Sequence, residues 1–305
     1  MAKGTHNYLE DDRNNNIKIY INGKILSRMD ASISVFDSGF LLGDGVWEGI
    51  RLLNGKLVFL DEHLERLFFG AKKLDINIGY SYKKLVKIIH KTLSANDMKN
   101  NVHIRLIVSR GLKKTPYQHP NANLQGSTLV IIPEYKKADK KINENGIQLI
   151  TVNIRRGTAD TQDPRLNTLS KLNCILACIE ADKAGGDEGI MLDINGNVST
   201  CNSTNFFIIR KGEVWTSKGV YCLPGITRKV VINICKEKNI PIHEKDFKIE
   251  DVYSADEAFV TGTFAGIIPA IDIDGYKISS GVRGKLTHKL QKYYSERLML
   301  LYPKI

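Results

Sequence analysis

The chain has 305 residues, of which 42% are hydrophobic and 25% are charged. Domains of about 100–200 residues are typical, so this length favours two domains or one unusually large one, and the composition excludes a disordered, collagen-like or coiled-coil chain. Lys and Arg number 44 against 33 acidic residues, giving a formal charge of +11 that favours an anionic ligand, a nucleic acid or a membrane surface.

The basic residues are scattered, and their densest run, YKKADKK (135–141), is typical of a solvated linker. No segment reaches the ~18 apolar residues of a membrane helix, and the polar N-terminus does not predict secretion. We therefore expect a lysine-rich surface, with neither nucleic acid nor membrane as partner. Five cysteines without a CxxC pair indicate reduced thiols in a cytoplasmic chain, and the histidine spacing predicts no metal site.

The first half of the chain predicts an α+β domain. Two hairpins are expected around Asn22-Gly23 and Asn54-Gly55, since Asn-Gly favours tight strand connections. A helix should follow with Asp61 as its N-cap, and a second should begin after Ser81. The runs VHIRLIVS and STLVIIP predict two further strands that close this domain, assigned to residues 1–135.

Residues 136–146 are polar and predict an interdomain linker, followed by a second domain over 147–305. A helix is expected at about 171–184, with Cys174 and Cys178 buried as small hydrophobic residues. A hairpin-rich block, a helix after LPGIT, the strands AFVTG and IIPAIDIDG, and a polar C-terminal helix at about 280–298 complete the predicted elements.

Two turns have the form of phosphate-binding segments. Pro224-Gly225 leads directly into a helix, so the free N–H groups of Ile226 and Thr227 can face an anion. A second strand ends at Gly262-Thr263, where glycine permits close approach of a ligand to the backbone. Each turn alone is a weak signal, because Gly-Thr turns at strand ends are common.

Several motifs in register resemble the class IV aminotransferases, which are fold-type IV pyridoxal-phosphate enzymes that include branched-chain and D-amino-acid aminotransferases and aminodeoxychorismate lyase. The resemblance spans residues 17–275 and rests on segments that occur in the family's order. These segments are MDASISVFDSGFLLGDGVWEGIRLLNGKLVFLDEHLERL, VHIRLIVSRG, DPRLNTLSKLNCILA, DEGIMLDINGNVSTCNSTNFFIIR, LPGITR and EAFVTGTFAGIIPA.

The resemblance implies a small N-terminal α/β domain, a C-terminal pseudo-barrel, pyridoxal 5'-phosphate in the crevice between them, and a homodimer. Arg66 matches the family arginine that binds the cofactor phosphate, although it could also be a surface partner of Glu62. The remaining implied cofactor contacts are Thr200, Thr204, Asn205, Gly225, Ile226, Thr227, Gly262 and Thr263.

The substrate side is implied at five positions. His103 and Arg105 resemble residues near the substrate carboxylate, and Trp47 resembles a pocket-lining aromatic residue, although core packing would explain it equally well. Phe264 and Ala265 complete the set. The implied substrates are an amino acid, branched-chain-like or D-configured, or an amine, together with a 2-oxo acid.

The family's Schiff-base lysine aligns with Asn167, and Lys171 aligns with a tyrosine. Four residues of straight strand would span about 13 Å, but the family chain turns at this point. The long side chain of Lys171 is therefore expected to reach the cofactor aldehyde and to act as the catalytic amine. The alternative is a first-turn helix lysine that points to solvent.

Thr200 aligns with the family glutamate that pairs with the pyridine nitrogen. A hydroxyl is expected only to hydrogen-bond a largely neutral nitrogen, which weakens the ring as an electron sink. Three functions therefore stay open: a transaminase, a pyridoxal-phosphate lyase or β-elimination enzyme, and a catalytically silent relative that binds cofactor or a metabolite.

Overall fold

The computed structural model describes residues 4–6, 8–124 and 126–304, which form two compact units. The N-terminal unit consists chiefly of residues 9–137 and 166–171, and the C-terminal unit chiefly of residues 138–165 and 172–303. Two-residue strands, β1 (Tyr8–Leu9) and β8 (Lys137–Ala138), fall where the division crosses the chain. In the described part of the chain, no helix combines the length and hydropathy needed to cross a membrane.

The N-terminal unit contains an antiparallel six-stranded sheet in the order β3-β2-β7-β6-β4-β5. Helices α2 and α3 contribute Leu64, Leu67, Leu85 and Ile89 to the core that covers one sheet face. The bounds are β2 Lys18–Ile21, β3 Lys24–Ser27, α1 Ser38–Leu42, β4 Gly45–Leu53, β5 Lys56–Leu57, α2 Leu60–Lys73, α3 Tyr82–Ala95, β6 Val102–Ser109 and β7 Thr128–Tyr135.

Both predicted hairpins are present. Asn22 and Gly23 have φ of 45° and 96°, and Asn54 and Gly55 have φ of 51° and 76°. These positive values are the conformation that Asn and Gly tolerate in a two-residue turn between twisted strands. The hairpin prediction is therefore confirmed at the residues that carried it.

The helix caps agree with the sequence in one case and differ in the other. Ser81 accepts a hydrogen bond from the backbone N–H of Lys84 and caps α3 as expected. The N-cap of α2 is Phe59, and Asp61 lies inside the first turn, so the prediction for Asp61 was wrong by two residues. An acidic residue in the first turn still stabilises the positive end of the helix dipole.

The C-terminal unit is built on a nine-stranded sheet in the order β11-β10-β9-β16-β15-β12-β13-β14, with β17 paired to β16. Its strands are β9 Ile147–Thr151, β10 Glu188–Leu192, β11 Val198–Cys201, β12 Asn205–Arg210, β13 Glu213–Thr216, β14 Ile242–Glu244, β15 Glu257–Gly262, β16 Gly266–Ile273 and β17 Tyr276–Lys277. Its helices are α4 Lys140–Asn145, α5 Ala159–Gln162, α6 Leu172–Lys183, α7 Ile226–Glu237, α8 Ile249–Tyr253 and α9 Lys285–Leu301.

Two features of this unit differ from expectation. Within the segment predicted as a linker, α4 forms a short helix that packs against β16. In α6, Cys178 is exposed and Cys174 is only partly buried, so the prediction that both are buried was wrong. The buried residues of α6 are Ala177 and Ala181, which lie on the side that packs against β10.

Candidate active site

The strand β4 places its side chains alternately on two faces of the N-terminal sheet. Val46, Glu48, Ile50 and Leu52 are buried on the face that α2 covers. Trp47 has the opposite phase and is only partly buried. Trp47 therefore lies outside the core that α2 covers.

Side chains from the neighbouring strand surround Trp47. The guanidinium Cζ of Arg105 lies 3.8 Å from the centroid of the indole ring. A Cβ on Gly49 would be 3.0 Å from Nε2 of His103 and 3.5 Å from the indole, so glycine leaves room for both rings. The structure thus brings together Trp47, His103 and Arg105, the three substrate-side candidates of this unit.

Residues 167–168 are tied to Trp47 by three hydrogen bonds. The Trp47 N–H donates to the carbonyl of Asn167 at 3.0 Å, and the Asn167 side-chain Nδ2 donates to the carbonyl of Trp47 at 2.7 Å. The indole Nε1 donates to the carbonyl of Thr168 at 3.1 Å. These bonds fix the orientation of the buried Asn167 amide.

Lys171 folds back toward Asn167 instead of extending away along the chain. Its Nζ donates to Oδ1 of Asn167 at 3.1 Å and lies 5.6 Å from the centroid of the Trp47 ring. The helix α6 begins one residue later, at Leu172, and the Lys171 side chain is partly buried. The solvent-pointing alternative therefore does not describe this lysine.

Arg66 lies on the helix-covered face, where it pairs with Glu48 and not with Glu62. Its Nε donates to Oε1 of Glu48 at 2.7 Å, and its terminal Nη2 donates to Oε2 at 2.8 Å. Nδ1 of His63 lies 2.6 Å from the same Oε2. The Glu48 carboxylate is fully buried and holds the arginine of α2 in a fixed orientation.

The charge state of Glu48 follows from these contacts. Burial raises the pKa of its carboxyl, but the charge and hydrogen bonds of Arg66, assisted by His63, outweigh burial and hold the pKa below its ordinary value. Glu48 is therefore ionised at neutral pH. A carboxylate accepts hydrogen bonds only, so Nδ1 of His63 carries the proton in this contact.

In the C-terminal unit, the start of β12 lies beside the start of α7. Asn205 Nδ2 donates to the carbonyl of Leu223 at 3.0 Å. A Cβ at Gly225 would lie 2.0 Å from Oδ1 of Asn205, so only glycine fits. Gly225 is the N-cap of α7 and offers no side-chain oxygen to the first turn, which contains the buried residues Ile226 and Thr227.

The second turn lies beside the same asparagine. Thr261 is paired with Asn205 across β12 and β15, and Gly262 is the last residue of β15. Thr263, Phe264 and Ala265 form the turn between β15 and β16. Among the described residues, the buried hydroxyl of Thr261 has no hydrogen-bond partner.

Thr200 is buried, and its hydroxyl donates to the carbonyl of Thr204 at 2.6 Å. A carbonyl can only accept, so the hydroxyl proton lies in this bond and only oxygen lone pairs stay available to a ligand. The expectation that Thr200 hydrogen-bonds a largely neutral ring nitrogen stays a prediction. Thr204 in turn donates to the buried Glu188 at 2.8 Å.

Sequence reasoning assigned no role to Glu48, His63 or Thr261. For Glu48 a signal existed, because it is a charged residue in the apolar phase of a strand, between Val46 and Ile50. Such a charge has to be paired when the strand is buried. Thr261 carried no comparable signal, since threonine is common in strands.

Comparisons with known proteins identify related sequences and a related fold. A profile of the amino-transferase class IV family matches residues 45–273. The chain is 39% identical, over 91% of its length, to branched-chain-amino-acid aminotransferase-like protein 2 of Arabidopsis thaliana, but it spans only about half (49%) of that relative. It is 32% identical to a D-alanine aminotransferase of Listeria monocytogenes, with 92% of this chain and 96% of the relative covered.

A solved structure has the same fold. It is the branched-chain aminotransferase of the thermophilic archaeon Thermoproteus uzoniensis with norvaline, at a TM-score of 0.84 and 31% identity. The match covers 95% of this chain and 96% of that chain. The α+β, fold-type IV class expected from the sequence is thereby confirmed.

Proposed function

The chain belongs to the amino-transferase class IV family, and from that premise we propose that it is a pyridoxal-phosphate-dependent transaminase. It would move an amino group between an amino acid and a 2-oxo acid. The observation that carries the proposal is the 3.1 Å contact between Nζ of Lys171 and Oδ1 of Asn167. It supplies an amine beside the position where the family has its lysine.

Pyridoxal phosphate, when bound, supplies an aldehyde that carries the amino group and a ring that accepts the electron pair of the substrate α-carbon. The donor set of the C-terminal unit fits its phosphate. Gly225 places no side-chain cap on the first turn of α7, and the hydroxyl of Thr261, which has no hydrogen-bond partner among the described residues, lies on the strand beside Asn205. Backbone N–H groups at a helix start favour a phosphate dianion, and Thr227 and Thr263 add hydroxyl donors.

Lys171 would provide the covalent link. Its Nζ would be the amine that attaches to the cofactor aldehyde when the cofactor is bound. The same Nζ would act as the acid and base that moves a proton at the substrate α-carbon. The fold-back toward Asn167 supports this role, because it holds the amine in place before any ligand binds.

The N-terminal unit offers the groups for anionic substrates. Arg105 stacks on Trp47 and would bind a carboxylate, with His103 beside it. Arg66, already oriented by Glu48, would add positive charge to the phosphate site. Relatives named for branched-chain amino acids and for D-alanine support both substrate classes.

A lyase or β-elimination reaction is the second candidate, favoured by Thr200. No carboxylate stands at this position, and the Thr200 proton is donated to the Thr204 carbonyl. The ring nitrogen would then lack an anionic partner, which lowers the capacity of the ring to accept electrons. A transaminase with this arrangement should be slower than one with a carboxylate at residue 200.

A single-turnover assay separates the candidates. The cofactor-loaded protein is mixed with L-leucine, L-glutamate, D-alanine or aminodeoxychorismate in the absence of a 2-oxo acid acceptor. A transaminase forms one equivalent of 2-oxo acid per site and is restored by added 2-oxoglutarate or pyruvate. Continued product release without a 2-oxo acid acceptor would indicate a lyase, and no product from any amino acid or from aminodeoxychorismate would indicate a silent relative.

We further propose that the protein is a cytoplasmic homodimer. Its five cysteines are free thiols, which supports a reducing compartment. The segment 29–42 of the N-terminal unit exposes large apolar side chains, which supports burial against a second copy. They are Met29, Ile33, Val35, Phe36, Phe40 and Leu42. Sedimentation velocity at micromolar concentration should give twice the chain mass of 34.3 kDa, and a monomer would contradict the proposal.

A further inference from the structure

The family lysine position is occupied by Asn167, and the contacts of this side chain assign it a task of its own. We propose that Asn167 is a positioning residue that holds the Lys171 amine at the point a lysine at position 167 would otherwise reach. The inference rests on the proposed function. It adds that the loss of the usual lysine is compensated by two residues acting together.

The side-chain amide of Asn167 has a fixed direction. Nδ2 of Asn167 donates to the carbonyl of Trp47 at 2.7 Å, and a carbonyl cannot donate in return. The amide oxygen must therefore be Oδ1, and it faces Lys171. The backbone bond from Trp47 to the carbonyl of Asn167, at 3.0 Å, holds the residue from its other side. The asparagine is buried, so water does not compete freely for Oδ1.

The amine of Lys171 lies close to the side-chain carbon Cγ of Asn167. Nζ of Lys171 lies 3.1 Å beyond Oδ1, which is itself about 1.2 Å from its carbon, so the amine lies at most about 4.3 Å from Cγ of residue 167. An extended lysine at residue 167 would carry its own Nζ about 4 Å from the same Cγ. Both side chains therefore hold an amine at about the same distance from Cγ of residue 167.

Confinement of the Lys171 amine has an energetic consequence for cofactor attachment. A flexible lysine loses rotamer freedom when its amine is confined, and this opposes covalent attachment to the cofactor. A hydrogen bond from Lys171 to Asn167, together with the Trp47 ring 5.6 Å away, confines the amine before the cofactor arrives. Removal of the amide oxygen should therefore weaken covalent attachment while noncovalent cofactor binding is unchanged.

The test uses the full chain, pyridoxal 5'-phosphate and borohydride, which delivers hydride to the carbon of the carbon–nitrogen double bond while the nitrogen gains a proton. The ratio of trapped to noncovalent cofactor is measured by intact mass for the wild type and for Asn167→Leu, which is nearly isosteric. We expect the ratio to fall about five- to tenfold, the effect of one hydrogen bond. Thr92→Val, at a buried threonine of α3 whose hydroxyl donates to the carbonyl of Ile88, is the control and should leave the ratio unchanged.

The same substitution in a Lys171→Ala background separates positioning from a structural role. If Asn167 acts through Lys171, Lys171→Ala and the double variant should bind the cofactor within twofold of one another. A loss of cofactor affinity greater than twofold when Asn167→Leu is added to Lys171→Ala would overturn the inference. An unchanged ratio of trapped to noncovalent cofactor in Asn167→Leu alone would also overturn it. If Asn167→Leu does not fold, Asn167→Ala replaces it in both arms. A wild type without any adduct on Lys171 would overturn the proposed function itself, so the two failures are distinguishable.

Discussion

Replacement of Glu48 by glutamine should destabilise the protein strongly although it changes a single heavy atom. Oε2 of Glu48 accepts from both His63 and Arg66, and Oε1 accepts from Arg66 again. The amide of a glutamine would point its own donor at one of these donors. It would also remove the counter-ion of Arg66, whose side chain is only 13% exposed.

The expected loss is about 3–5 kcal/mol in the free energy of unfolding, the range for breaking one side of a buried ion pair. Urea denaturation at pH 7 measures it. Asp11→Asn is the matched control, because Arg13 and Asp11 form an exposed pair with side chains 61% and 26% accessible. That change should cost about 1 kcal/mol or less.

The pH dependence of the free energy of unfolding provides a second test of this prediction. The pKa of Glu48 is lowered in the folded protein, so its stabilising contribution is complete above its ordinary pKa of 4.5. The contribution is lost as pH falls further through the lowered pKa of the folded state. The difference in unfolding free energy between wild type and Glu48→Gln should therefore shrink below about pH 4.5. Equal losses in Glu48→Gln and Asp11→Asn, or a difference that persists at low pH, would refute the reasoning.

Three further substitutions test the site. Gly225→Ala places a Cβ 2.0 Å from Oδ1 of Asn205 and should lower the free energy of unfolding by about 1–3 kcal/mol, measured by urea denaturation. Thr200→Val removes a buried hydrogen bond and should lower it by about 1 kcal/mol in the same assay. Asn167→Lys supplies a second amine, so the borohydride-trapped cofactor should map to residue 167 as well as to Lys171.

A separate result would contradict each of these three predictions. Gly126→Ala is the control for the glycine, because no described atom beyond its chain neighbours lies within 4 Å of a Cβ built there, and it should change stability by no more than about 0.5 kcal/mol. Equal effects at Gly225 and Gly126 would refute the predicted clash. A Thr200→Val protein as stable as the wild type would contradict the predicted contribution of the hydrogen bond from Thr200 to Thr204. An adduct confined to Lys171 in Asn167→Lys would show that the two side chains reach different points.

Local signals in the sequence predicted those parts of the fold that depend on neighbouring residues. The Asn-Gly turns and the Ser81 cap are decided within four residues of chain, and the structure agrees with each. The start of α2 was misplaced because Phe59 adopts a left-handed conformation, with φ of 51°, that a bulky residue rarely takes. No pattern of polar caps reveals such a start.

The partners of site residues were less predictable, since they come from distant parts of the chain. Arg66 could be assigned to a phosphate by resemblance, but its bond to Glu48 joins residues eighteen positions apart on a helix and a strand. The alignment placed Lys171 four residues from the usual lysine. Only the bend of residues 167–171 explains how its amine returns to Asn167.

The exposed face of α6 shows a different limit. Apolar periodicity predicted that Cys174, Cys178 and their neighbours are buried, but Leu172, Ile175 and Ile179 are exposed. Periodicity reports which residues share a face, and it does not report whether the chain itself covers that face.

The central claim is that Lys171 provides the amine that links the cofactor. Borohydride reduction of the protein loaded with pyridoxal 5'-phosphate, followed by peptide mass mapping, tests it most directly. We expect a single pyridoxyl adduct, on Lys171, and its loss in Lys171→Ala. An adduct on another lysine, or none on any lysine, would contradict the account.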